Sequence, residues 1–312
     1  MRGGGGVAGP TELKAVANGV ANQVEISWAA VAGATGYTLY QTTDNLSGFT
    51  NADPANLAAA NPAAGSSTFA GTVTSTVETL SGADTVYYLI TSTQGGVESL
   101  TSAAQTAATA HNFAFGTVTS TTEIIWMDRN LGASQVATSG TDTTAYGDLY
   151  QWGRPADGHQ ARANTAKTAT LAPNLTPNHA QFITTTATPN DWTAAGVDDD
   201  GAARSEFWSR IDGSSICPTG FRVPLETELN NERASFSSKD IAGAFASSLK
   251  LPTAGTRADS TGTTSLTGVF ASYWTNTVDG TVSRYFLLTA TPSMQIAVNS
   301  RAYANSVRCI QN

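Results

Sequence analysis

The residues able to do chemistry are few and scattered. There are two cysteines, Cys217 and Cys309. They are too few for a disulfide scaffold, form no Cys-x-x-Cys pair and have no histidine at metal-ligand spacing. By themselves they either pair once, in an oxidising setting, or stay as buried thiols. The three histidines, His111, His159 and His179, are dispersed, and no Ser-His-Asp or Glu-rich grouping surrounds them. His159, between Asp157 and Gln160, is expected to be a structural hydrogen-bonder. Asp198-Asp199-Asp200-Gly201 invites a calcium reading, yet an EF-hand loop needs ligands at alternating positions and a closing Glu, and Ala202 breaks that pattern. A solvated acidic turn is expected there. Asp128, Arg129, Asp148, Arg154, Asp191, Arg222 and Arg308 are expected to tie loops to a sheet, because the planar guanidinium fork matches a carboxylate. No catalytic residue, metal or cofactor is expected.

The elements that must carry these residues divide the 312-residue chain into two expected domains. From Thr11 to Thr109, Val24, Ile26 and Trp28 alternate, Tyr37 and Leu39 follow, and Val86, Tyr88 and Ile90 alternate again. Turn signals at Gly33 to Gly36, Ser81-Gly82 and Gly95-Gly96 separate the runs, so about seven short strands and a sandwich are expected. Trp28, Tyr37 and Tyr88 read as core fillers. Asn51 to Ser67 breaks the strand pattern and reads as a short helix or an extended loop. After the Ser102 to Ala110 junction, Ile124 to Met127 opens a second region. There the spacing predicts helices over Leu225 to Ser235 and over Lys239 to Leu249, the latter capped by Ser238 and ended by Pro252. Strands are predicted at Ser272 to Thr277, Ser283 to Leu288, Gln295 to Val298 and Ser306 to Ile310. Helices beside a small antiparallel sheet make this part α+β.

Composition narrows the function classes. Charged residues are only 13% of the chain and the net charge is −8, with no basic stripe, which argues against a nucleic-acid partner. No run reaches the roughly eighteen continuous apolar residues of a spanning helix, so membrane insertion is not expected. Met1 to Gly9 lacks the apolar core of a signal peptide, and residues 1–10, with Gly3 to Gly6, read as a flexible terminus.

Val24 to Trp28, Gly36 to Tyr40, Leu80, Tyr87-Tyr88 and Gly95 to Ser99 together resemble a fibronectin type III domain over residues 11–110. Eight ordered blocks follow: Trp126 to Ala133, Tyr146 to Arg154, Asp157 to Gln160, Pro189 to Trp192, Cys217 to Pro224, Leu249 to Gly255, Tyr273 to Thr277 and Ser306 to Ile310. Residues 111–312 thereby resemble the variable proteins of diversity-generating retroelements and the Fibrobacter major paralogous domain, in the formylglycine-generating-enzyme branch of the C-type lectin fold. The fold class expected is a mainly β immunoglobulin-like sandwich followed by an α+β C-type-lectin-like domain.

The resemblance implies a variable region at 272–306 held by a fixed frame of Trp274, Arg284, Arg301, Val307, Arg308 and Cys309, with Cys217 structural and close to Cys309. The displayed, ligand-binding residues it implies are Tyr273, Thr275, Asn276, Thr277, Asp279, Ser283, Thr289, Thr291, Ser293, Asn299, Ser300, Ala302, Tyr303 and Asn305. Tyr with Ser, Asn and Thr suits such a role, rigid amphipathic area beside adaptable hydrogen bonding. The fold's namesake oxidises a cysteine with copper held by paired thiols, and this chain offers no second pair, so no enzyme is expected. The implied function is a receptor-binding display protein on a phage particle, meeting a host-surface protein or glycan and joining other virion proteins through its first domain. A homotrimer, as in some relatives, is a further expectation. The alternatives are a capsid decoration or tail protein and a bacterial cell-surface adhesin.

Overall fold

The computed structural model describes residues 7–61, 64–81, 85–290 and 294–312. Met1 to Gly6, Gly82, Thr291 and Ser293, named above, lie outside the described residues. Internal contacts divide the chain into two compact units. The first runs to Ala114 and takes in Ile211–Ser214 and Pro218–Gly220; the second comprises Phe115–Arg210, Ser215–Cys217 and Phe221–Asn312. The two short pieces from the later chain had no signal in the sequence.

The first unit is built from β1 (Lys14–Ala17), β2 (Gln23–Ser27), β3 (Gly36–Thr42), α1 (Pro54–Ala60), β4 (Gly65–Ala70), β5 (Ser75–Thr79), β6 (Thr85–Gln94), β7 (Val97–Glu98) and β8 (Thr106–Thr109). One sheet has the order β1-β2-β5; the other has β4-β3-β6-β7, with β8 also paired to β6. Every pairing is antiparallel. The period-two residues do what alternation requires: Val24, Ile26, Tyr37, Leu39, Tyr88 and Ile90 are buried together. Trp28 sits 5.5 Å from the rings of both Tyr37 and Phe69. The ambiguous stretch after Asn51 becomes α1 followed by β4. Asp53 accepts the Ala55 N–H at 2.9 Å and Pro54 opens the helix, which seats Leu57 against Leu46 and Leu89.

The second unit contains β9 (Thr117–Thr119), β10 (Ile125–Met127), β11 (Tyr150–Gln151), β12 (Lys167–Thr168), β13 (Phe182–Ile183), α2 (Ala202–Ser209), β14 (Phe221–Arg222), α3 (Glu226–Ser235), α4 (Ile241–Ala246), β15 (Thr256–Arg257), β16 (Thr264–Ser265), β17 (Ala271–Asp279), β18 (Val282–Leu288), β19 (Gln295–Asn299), β20 (Ala304–Asn305) and β21 (Ile310–Gln311). They form the sheets β14-β21-β10-β9, β11-β20-β15-β16, β12-β13 and β17-β18-β19. One core gathers Trp126, Leu229 and Phe236 with Leu249, Tyr273, Phe286 and Leu288, joining the α3–α4 region to the β17–β19 sheet.

Three local expectations are corrected. α4 is shorter than predicted, and its cap is Asp240, whose carboxylate accepts the Gly243 N–H at 2.9 Å; Ser238 instead donates its hydroxyl to Asp240. α2 was not foreseen, because the aspartates before it were read as a solvated turn and not as its cap. Gly201 turns the chain at φ +74°, and Asp198, several residues back, accepts the Ala203 and Arg204 N–H groups. The strand predicted at Ser306 to Ile310 is interrupted: Ser306 makes an isolated bridge to Tyr273, the loop amide of Leu131 donates to the Val307 carbonyl, and the chain joins the β10 sheet again only at β21.

Candidate ligand-binding face

The β17–β19 sheet has two unlike faces. In its antiparallel register Tyr273, Phe286 and Ile296 stand opposite one another, all turned to the core. The other face carries Trp274, Tyr285 and Ala297 in one row, Ser272, Leu287 and Gln295 in the next, and Ser283 beside Asn299. Strand β17 is covered on this side, with Ser272 and Trp274 buried, and so is Ser283 at the start of β18. Strand β19 and the outer half of β18 are not: Tyr285, Leu287, Ala297 and Asn299 are partly exposed and Gln295 is exposed.

The exposed row is held rigidly. Tyr285 meets Trp274 edge-on at 6.0 Å, and the Trp274 indole N–H donates to the Tyr150 carbonyl at 2.7 Å. Tyr303 approaches the same patch; burial and then the neighbouring Tyr303 raise the Tyr285 phenol, while burial and then Asp259 raise Tyr303. Ser300 donates to Asp259 at 2.8 Å, and Asn190 donates to the same oxygen at 3.1 Å. Aromatic area, amides and hydroxyls on fixed elements give a surface fit for reversible contact, with no nucleophile–base pair among them.

Of the residues expected to be displayed, six are corrected to the interior. Tyr273 is buried, donating its hydroxyl to the Pro252 carbonyl at 2.9 Å, and burial pushes its pKa up to about 12. Thr275 donates to the Arg284 carbonyl at 2.8 Å, and Asn276 to the Ser205 carbonyl at 2.9 Å. Ser283 accepts from Arg301, Ala302 packs with Trp192, and Asn305 accepts from Thr256 and Ser272. Each of these side chains is engaged inside the fold, although Asn276 Oδ1 and Asn305 Nδ2 have no hydrogen-bond partner among the described residues. Thr277 is half-buried and accepts the Glu226 N–H; Asp279 is exposed but paired with Arg284 at 2.8 Å; Thr289 is half-buried. Asn299, Ser300 and Tyr303 remain on the accessible patch. Tyr285, Leu287, Gln295 and Ala297 were missed, although the positions alternating with the core residues Phe286 and Leu288 must fall on the opposite face, and Ala297 and Gln295 are their partners in the adjoining strand.

The frame residues behave differently from one another. Cys217 and Cys309 are joined in a disulfide. Arg284 is part-exposed, bridging Asp279 and, at 3.7 Å, Glu226. Arg301 is buried and donates to the carbonyls of Asp199 at 2.9 Å and Gly280 at 2.7 Å. Among the described residues Arg308 pairs with no carboxylate: it donates to Asn130 at 2.9 Å and to the Leu249 carbonyl at 2.7 Å, and burial pulls its pKa down to about 10. Other expected ties are made locally, Asp128 with Arg129 at 2.7 Å, Arg154 with Asp157 at 2.9 Å and Arg222 with Glu228 at 2.7 Å.

The main charged knot was only half foreseen. Arg204 grips Asp191 with two hydrogen bonds of 2.6 and 2.8 Å and Asp198 at 2.8 Å, while Arg301 reaches Asp191 at 3.5 Å. Two guanidiniums thus meet two carboxylates, and the rings of Trp152 and Trp192 lie 5.6 and 5.2 Å from Arg204. Asp198 is therefore buried, not part of a solvated turn; Asp199 and Asp200 are exposed. His159 is buried between Asp157 (2.8 Å, at Nδ1) and the Gln151 N–H (3.0 Å, at Nε2), and burial lowers its pKa to about 4. Among the described residues no three His, Cys, Asp or Glu gather as a metal site, and no helix is long and apolar enough to cross a membrane.

No family model matches the chain, and no curated protein does. Its structural neighbours are fibronectin type III-like. An Fn3-like protein from Clostridium thermocellum is 26% identical over 33% of this chain and 91% of that one, with a TM-score of 0.24. The fn3 domain of human collagen alpha-1(XX) is 16% identical over 37% of this chain and 94% of its own, with a TM-score of 0.25. The mainly β character of the molecule stands on its own strand pairing, described above.

Proposed function

We propose that this chain is a ligand-binding display protein carried on a phage particle. In this reading the second unit is a C-type-lectin-like head, of the kind found in retroelement-diversified variable proteins, that offers its β18–β19 face to a host-surface protein or glycan. The first unit, a fibronectin type III-like sandwich, attaches and spaces it among other virion proteins. No catalytic step is proposed.

The observation that carries the reading is the contrast between the two faces of one sheet. One face is locked into the core by Tyr273, Phe286 and Ile296, and the other leaves Tyr285, Gln295, Asn299, Ser300 and Tyr303 accessible around an apolar Leu287 and Ala297. Rigid aromatic anchors ringed by adaptable amides and hydroxyls are what a binding patch without a cavity uses. The test replaces Tyr285, Asn299 and Tyr303 together by alanine and measures host adsorption and particle assembly. Adsorption is expected to fall at least about tenfold with assembly intact. Lost assembly with adsorption of the remaining particles untouched would sink the reading in favour of a structural virion component.

A second reading, a bacterial cell-surface adhesin, is favoured by the Cys217–Cys309 disulfide, since such bonds persist in oxidising compartments. Thiol labelling of the protein from its native source separates the two: a bond already closed before release from the cell favours the surface adhesin.

A further inference from the structure

A cavity of about 300 Å³ opens in the second unit beside the turn between β17 and β18, where Thr281 lines it, with apolar wall at Leu171, Ala187 and Pro189. Asp191, Thr193 and Asp199 supply its polar wall. The two carboxylates are not equivalent. Asp191 is consumed by Arg204 and Arg301. Asp199 is exposed, gives one oxygen to the Gly196 N–H at 2.8 Å, and has no ion-pair partner among the described residues. Arg204 and Arg301 are matched by the Asp191 and Asp198 carboxylates, so the Asp199 carboxylate on the cavity wall is left as unbalanced negative charge that favours a cation.

Thr193 adds an independent observation. It is only 4% exposed and lines the cavity, yet its hydroxyl is engaged by no described residue, while its N–H is satisfied by Asp191 at 3.3 Å. A hydroxyl with no protein partner on the wall of a cavity is free to bond a group held inside it. No aromatic ring lines the space, which removes the stacking platform a sugar ring would use, and the short apolar wall matches an alkyl chain.

We propose that this cavity binds a primary ammonium group on a short alkyl carrier. Asp199 takes the charge, the Thr193 hydroxyl accepts an N–H, and Leu171, Ala187 and Pro189 cover the carbon chain. The same chemistry is offered by a free small amine and by a lysine side chain of a partner protein.

The test titrates the full chain with n-butylammonium and reads the backbone amide shifts of Thr193 and Thr281, with n-butanol as the uncharged control. Saturable shifts are expected for the amine, with the alcohol at least about tenfold weaker. Asp199→Asn keeps the bond from Gly196 and is expected to weaken the amine about tenfold without moving the melting temperature; Thr193→Val is expected to weaken it severalfold. A blocked peptide with a single lysine that binds more tightly than n-butylammonium assigns the site to a protein partner, and one that binds no better assigns it to a free amine. Equal binding of amine and alcohol, absence of saturable shifts into the tens of millimolar, or an unchanged affinity in Asp199→Asn each overturns the proposal.

Discussion

The buried knot of Arg204 and Arg301 with Asp191 and Asp198 makes the second unit sensitive to the loss of a single charge. Asp191→Asn keeps the side chain's shape and removes one of two negative charges that balance Arg204 and Arg301, all with the guanidiniums fully buried. The bidentate contact with Arg204, at 2.6 and 2.8 Å, loses its ionic character, and Asp198 alone must then neutralise two cations. Breaking a buried pair by removing one partner costs about 3–5 kcal/mol, because the remaining charge stays desolvated. For a unit of this size that corresponds to a fall of about 6–20 °C in melting temperature. Tryptophan fluorescence is the suitable probe, since five of the six tryptophans, Trp126, Trp152, Trp192, Trp208 and Trp274, belong to the second unit. Adding Arg204→Met to Asp191→Asn tests the cause: the double variant should lose less than the sum of the two single losses. A loss below about 1 kcal/mol in Asp191→Asn, or strict additivity in the cycle, would refute the claim that these charges depend on one another.

Three further outcomes are expected. Replacing Cys217 and Cys309 together by serine opens a loop whose ends lie 92 positions apart and should cost about 4–5 kcal/mol, read by denaturant melts with and without reductant. Gly153→Ala should destabilise by about 2–4 kcal/mol, because the residue sits at φ +73° and an added Cβ would lie 2.4 Å from Cβ of Arg204; a melt within 1 °C of the parent would contradict this. His159, with its pKa lowered to about 4 by burial against an ordinary 6.5, binds a proton less readily folded than unfolded. Its contribution is thus complete above about pH 6.5 and is lost as the pH falls toward 4, by up to about 1.4 kcal/mol per unit. An imidazole titration followed by NMR with a midpoint near 6.5 in the folded protein would contradict that burial.

What the sequence determined by itself is whatever rests on local periodicity. Val24, Ile26, Tyr37, Leu39, Tyr88 and Ile90 name the sandwich interior because strand side chains alternate without reference to anything distant. The strands near Ser272, Ser283 and Gln295 were legible for the same reason, as was the helix at Glu226–Ser235. What only the tertiary structure decided is which polar residues face water. Tyr273, Asn276 and Asn305 are of the same types as Tyr303 and Asn299, yet Pro252, Ser205 and Thr256 supply the first three with partners inside the fold. Those partners lie far along the chain, so residue type and spacing carry no trace of them. The same holds for Asp198, drawn out of an apparent solvent turn by Arg204, and for the closure of Cys217 on Cys309. A hydrogen bond or a disulfide is satisfied by whatever the fold brings within reach, and reach across the fold is settled only when the sheets and loops have closed.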